Sequence, residues 1–175
     1  CKGKKVLNAF CYSGGFSVYA LKAGAEMVHS VDISKTAIQL TDDNIALNGY
    51  SSEHHQSYAE DVMAFLKEAD EDYSLMVVDP PAFAKNMRKR HNAVQGYKRL
   101  NALALKKIKS GGILFTFSCS QVVGTQLFYD TIVAAALEAG RKVRVMHRLS
   151  QPADHPVSIF HPEGEYLKGL VLYVI

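Results

Sequence analysis

Short apolar runs alternate with amphipathic stretches along almost the whole chain, and that alternation predicts its elements. Residues 6–10 read as a buried strand, closed by Ser13-Gly14-Gly15 and followed by a helix over 16–23. Residues 27–31 form a second strand ending at Asp32. Helical spacing of Ala37, Ile38, Leu40, Ile45 and Leu47 then marks a helix over 36–47, stopped by Asn48-Gly49. A weaker strand at 54–58 precedes a short helix over 61–69 with Val62, Phe65 and Leu66 inward. Residues 75–78 are the clearest central strand, ended by Asp79-Pro80-Pro81. A helix over 96–109, a strand over 113–117 closed by Ser118-Cys119-Ser120, and a helix over 126–139 follow. Two final strands, 142–149 and 167–175, flank a segment rich in Pro, His and Glu.

Strands separated by crossover helices imply a mostly parallel sheet covered on both faces. The last two strands have no helix between them, so an antiparallel hairpin is expected at one edge. Seven strands with that ending describe an α/β, Rossmann-like sheet of the class I methyltransferase kind. The 175 residues suffice for one domain with a substantial core. No apolar run approaches the roughly 20 residues that cross a bilayer, and the first residues lack a signal-peptide pattern. A cytoplasmic protein with no membrane partner is therefore expected. A first strand starting by about Lys5 suggests a domain excised from a longer protein.

Ligands of open α/β sheets bind outside the carboxyl ends of the strands. Gly14 and Gly15 permit close approach of backbone to a ligand there. No G-x-G-x-x-G occurs, which disfavours a dinucleotide and hence a dehydrogenase. Asp32 suits an acid that accepts ribose hydroxyls, and this reading is preferred to helix capping by Asp32 or Ser34. Asp61 suits either an adenine contact or an N-cap. Asp79-Pro80-Pro81-Ala82-Phe83 is stiff and lacks two backbone donors, so it can hold a carboxylate and an aromatic ring beside a flat substrate. Cys119 is open between nucleophile and buried structural thiol. Three dispersed cysteines without a CxxC pair favour neither a disulfide framework nor zinc, and no metal is expected.

Asn8-Ala9-Phe10-Cys11-Tyr12-Ser13-Gly14-Gly15-Phe16, Val31-Asp32-Ile33-Ser34, Asp79-Pro80-Pro81-Ala82-Phe83-Ala84-Lys85 and Phe117-Ser118-Cys119-Ser120 together resemble the RlmI-type large-subunit ribosomal RNA methyltransferases. So do Ala153-Asp154-His155-Pro156 and the run from Pro162 to Gly169. The resemblance spans the chain and implies 5-methylcytosine formation in 23S ribosomal RNA. It implies S-adenosylmethionine as cofactor, contacted by Phe10, Ser13, Gly14, Gly15, Asp32, Ser34, Asp61 and Asp79. It makes Cys119 the nucleophile and Asp79 the residue that holds the cytosine. It also implies a preceding PUA-like RNA-binding part, and it leaves the oligomeric state open, a homodimer of the full-length protein being one option. Many RNA cytosine-5 methyltransferases carry a second cysteine in the segment equivalent to 79–83; this chain has none there, so product release must differ.

With RNA as the implied partner, the modest net charge of +3 matters less than its distribution. Lys85, Arg88, Lys89, Arg90 and His91 directly follow the prolines and are expected near phosphates, with a plain surface loop as the alternative. Pro80, Pro81 and Phe83 are expected at the substrate, with Phe83 or Tyr97 stacking on the extruded base. Glu163, Glu165 and His155 are open candidates for removal of the carbon 5 proton. Methylation of a base nitrogen, with Cys119 idle, and a non-catalytic RNA-binding module are the competing functions.

Overall fold

The computed structural model describes residues 1–69 and 73–175. Five helices and seven strands are described: β1 Lys5–Ala9, α1 Gly15–Lys22, β2 Met27–Asp32, α2 Lys35–Leu47, β3 His55–Ala59, α3 Val62–Glu68, β4 Tyr73–Val78, α4 Arg90–Lys107, β5 Ile108–Ser118, α5 Thr125–Ala139, β6 Val143–Leu149 and β7 Lys168–Val174. They form one sheet in the order β3-β2-β1-β4-β5-β7-β6. The first five strands run parallel, and β7 is antiparallel to both β5 and β6.

Strand alternation sorts the core onto the two faces of the sheet. Val6 and Val28 join Ala20, Leu21 and Ile45 beneath α1 and α2. Leu7 and Val31, an odd number of residues along from Val6 and Val28, join Met76, Val78, Leu66, Leu100, Leu105, Phe128 and Ile132 beneath α3, α4 and α5. The expected hairpin is present, with the last strand on the inside. β7, Lys-Gly-Leu-Val-Leu-Tyr-Val, is buried except at Tyr173, whereas β6 carries Arg144, His147 and Arg148 and is exposed along most of its length. A charged strand tolerates the sheet edge, and an apolar one does not.

Two boundaries differ from expectation. α4 begins at Arg90 rather than residue 96, because its first turn is basic and solvent-facing and its inward residues start only at Ala93 and Tyr97. The basic segment is therefore not a plain loop: it is a 3-10 turn, Met87–Lys89, capped by Asn86, running into the first turn of α4. β5 begins at Ile108 rather than 113, across a register shift opposite Tyr73 and Leu75 that Gly111 and Gly112 accommodate. Among the described residues, no helix is long and apolar enough to cross a membrane.

Candidate active site

The carboxyl ends of β2, β1, β4 and β5 are successive neighbours, and they carry Asp32, the glycine turn, Asp79 and Cys119 along one rim. Three strand spacings put Asp32 and Cys119 roughly 14 Å apart along it.

The turn after β1 is held by more bonds than its length requires. Phe10 and Tyr12 adopt left-handed backbone, with φ of 62° and 47°. Such residues persist only where their surroundings over-determine them. Here Cys11 N donates to Val31 O, Gly14 N to Cys11 O, Thr41 Oγ1 to Tyr12 O at 2.9 Å and Asn44 Nδ2 to Ser13 O at 2.8 Å. Gly14 is the left-handed N-cap of α1, and a Cβ there would stand 2.7 Å from Thr41 Cγ2. Gly14 is thus demanded by packing inside the protein, whereas Gly15 faces open space and lines the cavity.

That cavity, about 340 Å³, is lined by Phe10, Cys11, Tyr12, Ser13, Gly15, Phe16, Tyr19 and Asp79. Larger grooves of about 530 Å³ and 590 Å³ lie along α2 and β3 and between α3 and α4, but neither touches the glycine turn or Asp79. Asp32 borders the turn: its Oδ2 accepts from Tyr12 N at 3.2 Å and its Oδ1 from Ser34 N at 2.9 Å. Both oxygens are held by backbone donors and keep lone pairs for further donors. A fixed carboxylate at a strand end, beside an aromatic-lined cavity floored by a bare glycine, fits the ribose and adenosine half of S-adenosylmethionine.

Ser34 and Asp61 have other duties. Ser34 Oγ accepts from Ala37 N at 3.3 Å as the N-cap of α2, and Asp61 Oδ1 accepts from Ala64 N at 2.9 Å as the N-cap of α3. Capping, left open as one role for each, is therefore filled; neither residue lines the cavity.

Asp79 is fixed through its backbone, N to Ala9 O at 3.5 Å, and burial pushes its carboxyl above the ordinary carboxylate range. Pro80 is buried and its carbonyl lies 3.8 Å from Cys119 Sγ. Cys119 is half-buried; burial, and then the charge of Asp79, push its thiol upward. The two chemical groups are therefore close enough to sense each other. Ser120 ties the surrounding loops together: its Oγ meets Tyr97 Oη at 2.9 Å and accepts from Ala84 N, and its carbonyl accepts from Lys168 Nζ at 2.8 Å.

That network corrects one expectation. Tyr97 is 0% exposed, with its ring against Phe83 and Phe128, so it cannot stack on an incoming base. Phe83 is partly exposed but lies on Tyr97, 4.6 Å between centroids, and over Gly96. Pro81, Lys85, Arg88, Lys89, Arg90 and His91 are exposed beside it. His155, Glu163 and Glu165 are exposed too, and their loop meets the Cys119 loop where Gln121 Nε2 donates to Glu163 O at 3.2 Å.

Sequence reasoning did not single out Tyr12, Phe16 and Tyr19, which line the cavity, nor Lys168, which is buried against the Cys119 loop. Phe16 and Tyr19, three apart on α1, are exposed aromatics just after the glycine turn, a spacing that could have marked them. Phe16 also lies on Phe117 of β5, 6.3 Å between centroids, linking the cavity to the Cys119 strand. Cys11 lines the cavity but is inert: it is buried against Thr41, and burial pushes its thiol up to about 11.

A doubly wound sheet with a nucleoside-sized cavity at its β1 turn and a strand-end acid defines a Rossmann-like methyltransferase domain. Residues 1–170 match the family profile of the S-adenosylmethionine-dependent methyltransferases, and the chain belongs to that family. S-adenosylmethionine is accordingly its cofactor. Among similar curated proteins, the ribosomal RNA large subunit methyltransferase I of Shewanella denitrificans is 44% identical over 176 residues, covering 99% of this chain and 44% of that protein. The chain thus spans under half the length of the curated relatives it matches. A solved protein provisionally described as a methyltransferase, in complex with S-adenosylhomocysteine, superposes with a TM-score of 0.84 at 25% identity, covering 98% of this chain and 45% of that one. A Streptococcus mutans structure, provisionally described as an S-adenosylmethionine-dependent methyltransferase, shares the fold with a TM-score of 0.84 at 24% identity, covering 98% of this chain and 44% of that one.

Proposed function

We propose that the chain transfers a methyl group from S-adenosylmethionine to carbon 5 of a cytosine in 23S ribosomal RNA, through a transient bond between Cys119 and carbon 6. The observation that carries this reading is the adjacency of a half-buried thiol and a half-buried carboxyl, Cys119 and Asp79, with Asp79 also lining the cofactor cavity. The likeness to ribosomal RNA large subunit methyltransferases supports the substrate class.

Carbon 5 of cytosine is a weak nucleophile. Addition of the Cys119 sulfur to carbon 6 pushes electrons onto carbon 5, replacing one difficult step with easier ones. Burial favours the protonated Asp79 carboxyl, which then donates to the ring nitrogen N3 and stabilises the charge developing there. Bound S-adenosylmethionine supplies an electrophilic methyl on a sulfonium centre. Transfer of the carbon 5 proton to a base, for which His155, Glu163 and Glu165 of the loop before β7 are the candidates, then lets the thiolate leave and restores the ring. Phe10, Tyr12, Ser13, Gly15, Asp32 and Asp79 would hold the cofactor, Pro80, Pro81 and the open face of Phe83 would hold the base, and Lys85, Arg88, Lys89 and Arg90 would meet phosphates.

Replacement of Cys119 by alanine tests the reading. Turnover on ribosomal RNA should vanish while S-adenosylhomocysteine still binds by calorimetry. Full turnover by that variant, or mass analysis placing the methyl group on a base nitrogen, would overturn it.

A further inference from the structure

Lys168 is a buried lysine that the mechanism above does not use. It is 6% exposed at the start of β7, directly opposite Ser118 in the β5–β7 pairing. Lysine is almost never so buried unless a partner holds it there. Among the described residues it makes no salt bridge with a carboxylate. Its Nζ instead donates to Ser120 O, the carbonyl one residue past Cys119. Directly opposed residues of an antiparallel pair project to the same face. That register, with the bond to Ser120 O, sets the amine against the loop that presents the thiol.

The groups facing this spot come from four elements. Asp79 stands at the end of β4, Lys168 on β7, and the Tyr97 hydroxyl of α4 on Ser120, while the loop before β7 touches through Glu163 O. Burial opposes a thiolate, so the nucleophile needs a counterweight, and Lys168 is the cation that favours it.

We propose that Lys168 is the proton partner of Cys119, taking the thiol proton on Nζ and holding the thiolate as an ion pair until cytosine is in place. The proposal rests on Cys119 being the nucleophile. In the step, the S–H bond breaks and an N–H bond forms on the nitrogen lone pair. A neutral thiol and a neutral amine become thiolate and ammonium, with no change in net charge. When the adduct later collapses, the departing thiolate returns to the same ammonium. Burial raises the thiol and lowers the amine, so each shifts toward the other's ordinary range. Lys168 is thus a positioning residue that acts through Cys119.

The test follows alkylation of Cys119 by iodoacetamide against pH, read by peptide mass spectrometry, in wild type, Lys168→Met and Lys168→Gln. Exposed Cys1 and buried Cys11 serve as internal references. Glutamine retains a donor for Ser120 O but neither charge nor basicity, so it separates proton transfer from loop support. The expected result is a Cys119 midpoint about one pH unit or more higher in both variants, roughly tenfold less thiolate at a given pH, with Cys1 unmoved. An unshifted Cys119 profile in a folded variant overturns the proposal. Should neither variant fold, wild-type protein carrying 13Cε-labelled lysine gives the reciprocal measurement. Blocking Cys119 with iodoacetamide should lower the Lys168 titration, and an unchanged titration overturns the pairing. Neither readout needs RNA or turnover, so failure here is distinct from failure of the Cys119→Ala experiment.

Discussion

Gly14→Ala isolates how tightly the cofactor turn is built. At φ 76° and ψ 15° an alanine pays the left-handed strain of about 1–2 kcal/mol. Its Cβ would also stand 2.7 Å from Thr41 Cγ2 and 3.1 Å from Thr41 Oγ1. Relief of that overlap by displacement costs a further ~1–3 kcal/mol. The sum, about 2–5 kcal/mol, would lower the melting temperature by roughly 4–20 °C for a domain of this size. Thr41 cannot yield freely, because its Oγ1 donates to Tyr12 O and meets Cys11 Sγ, so the loss should reach the cavity. S-adenosylhomocysteine affinity should fall by about tenfold or more, equivalent to ~1.4 kcal/mol. Urea denaturation and titration calorimetry measure the two losses. Adding Thr41→Ser removes Cγ2 and keeps the hydroxyl; it should recover part of the overlap cost and none of the backbone strain. If Gly14→Ala changes stability by under about 0.5 kcal/mol, or if the serine restores nothing, the packing argument is wrong.

Three further outcomes follow from the same geometry. Burial holds His55 below its ordinary value of 6.5, so the unfolded chain binds the proton more readily; stability should fall as pH drops below 6.5, and the fall should flatten in His55→Gln, read by urea midpoints across pH. Gly169→Ala would put a Cβ 2.5 Å from the Phe117 ring, which lies on Phe16; a loss of about 1–3 kcal/mol in unfolding free energy and weaker S-adenosylhomocysteine binding are expected, and an unchanged melting temperature would refute it. Reversing Arg88, Lys89 and Arg90 together to Glu should weaken RNA binding and reduce the magnitude of the log–log salt slope by about 2–3, with S-adenosylhomocysteine affinity unchanged; an unaltered slope assigns the segment to plain surface.

The strands were legible because burial on both faces writes an unbroken apolar run, as in Leu75–Val78's Leu-Met-Val-Val, and the helices because their inner stripes repeat. What escaped was whatever lacked a core-facing pattern. The first turn of α4 is basic and exposed, and so carries no stripe to announce it. The bulged start of β5 carries no apolar run, because Gly111 and Gly112 stand in it. Within the site, strand-end acids and glycines could be placed from the order of elements alone. Their duties could not: only coordinates show that Gly14 answers to Thr41 and that Ser34 and Asp61 spend oxygens on helix ends. Tyr97 was misplaced because a tyrosine on an amphipathic helix reads alike whether its hydroxyl meets solvent or, as here, a buried serine.

Lys168 escaped for a related reason, and its case shows how the two halves of the site differ. The half we assign to the cofactor is made of backbone geometry: positive-φ residues, a bare glycine and a carboxylate held by two amides. Such parts leave traces in sequence because few residue types satisfy them. The chemical half is made of environment, since burial is the largest influence moving Asp79 and Cys119 upward and Lys168 downward. A lysine at the start of a strand announces nothing about its surroundings. Only the pairing of β7 into the interior of the sheet, between β5 and β6, carries that amine under the Cys119 loop. The inner position of the last strand is therefore more than a packing solution for apolar residues: in the mechanism we propose, it is what brings a base to the nucleophile.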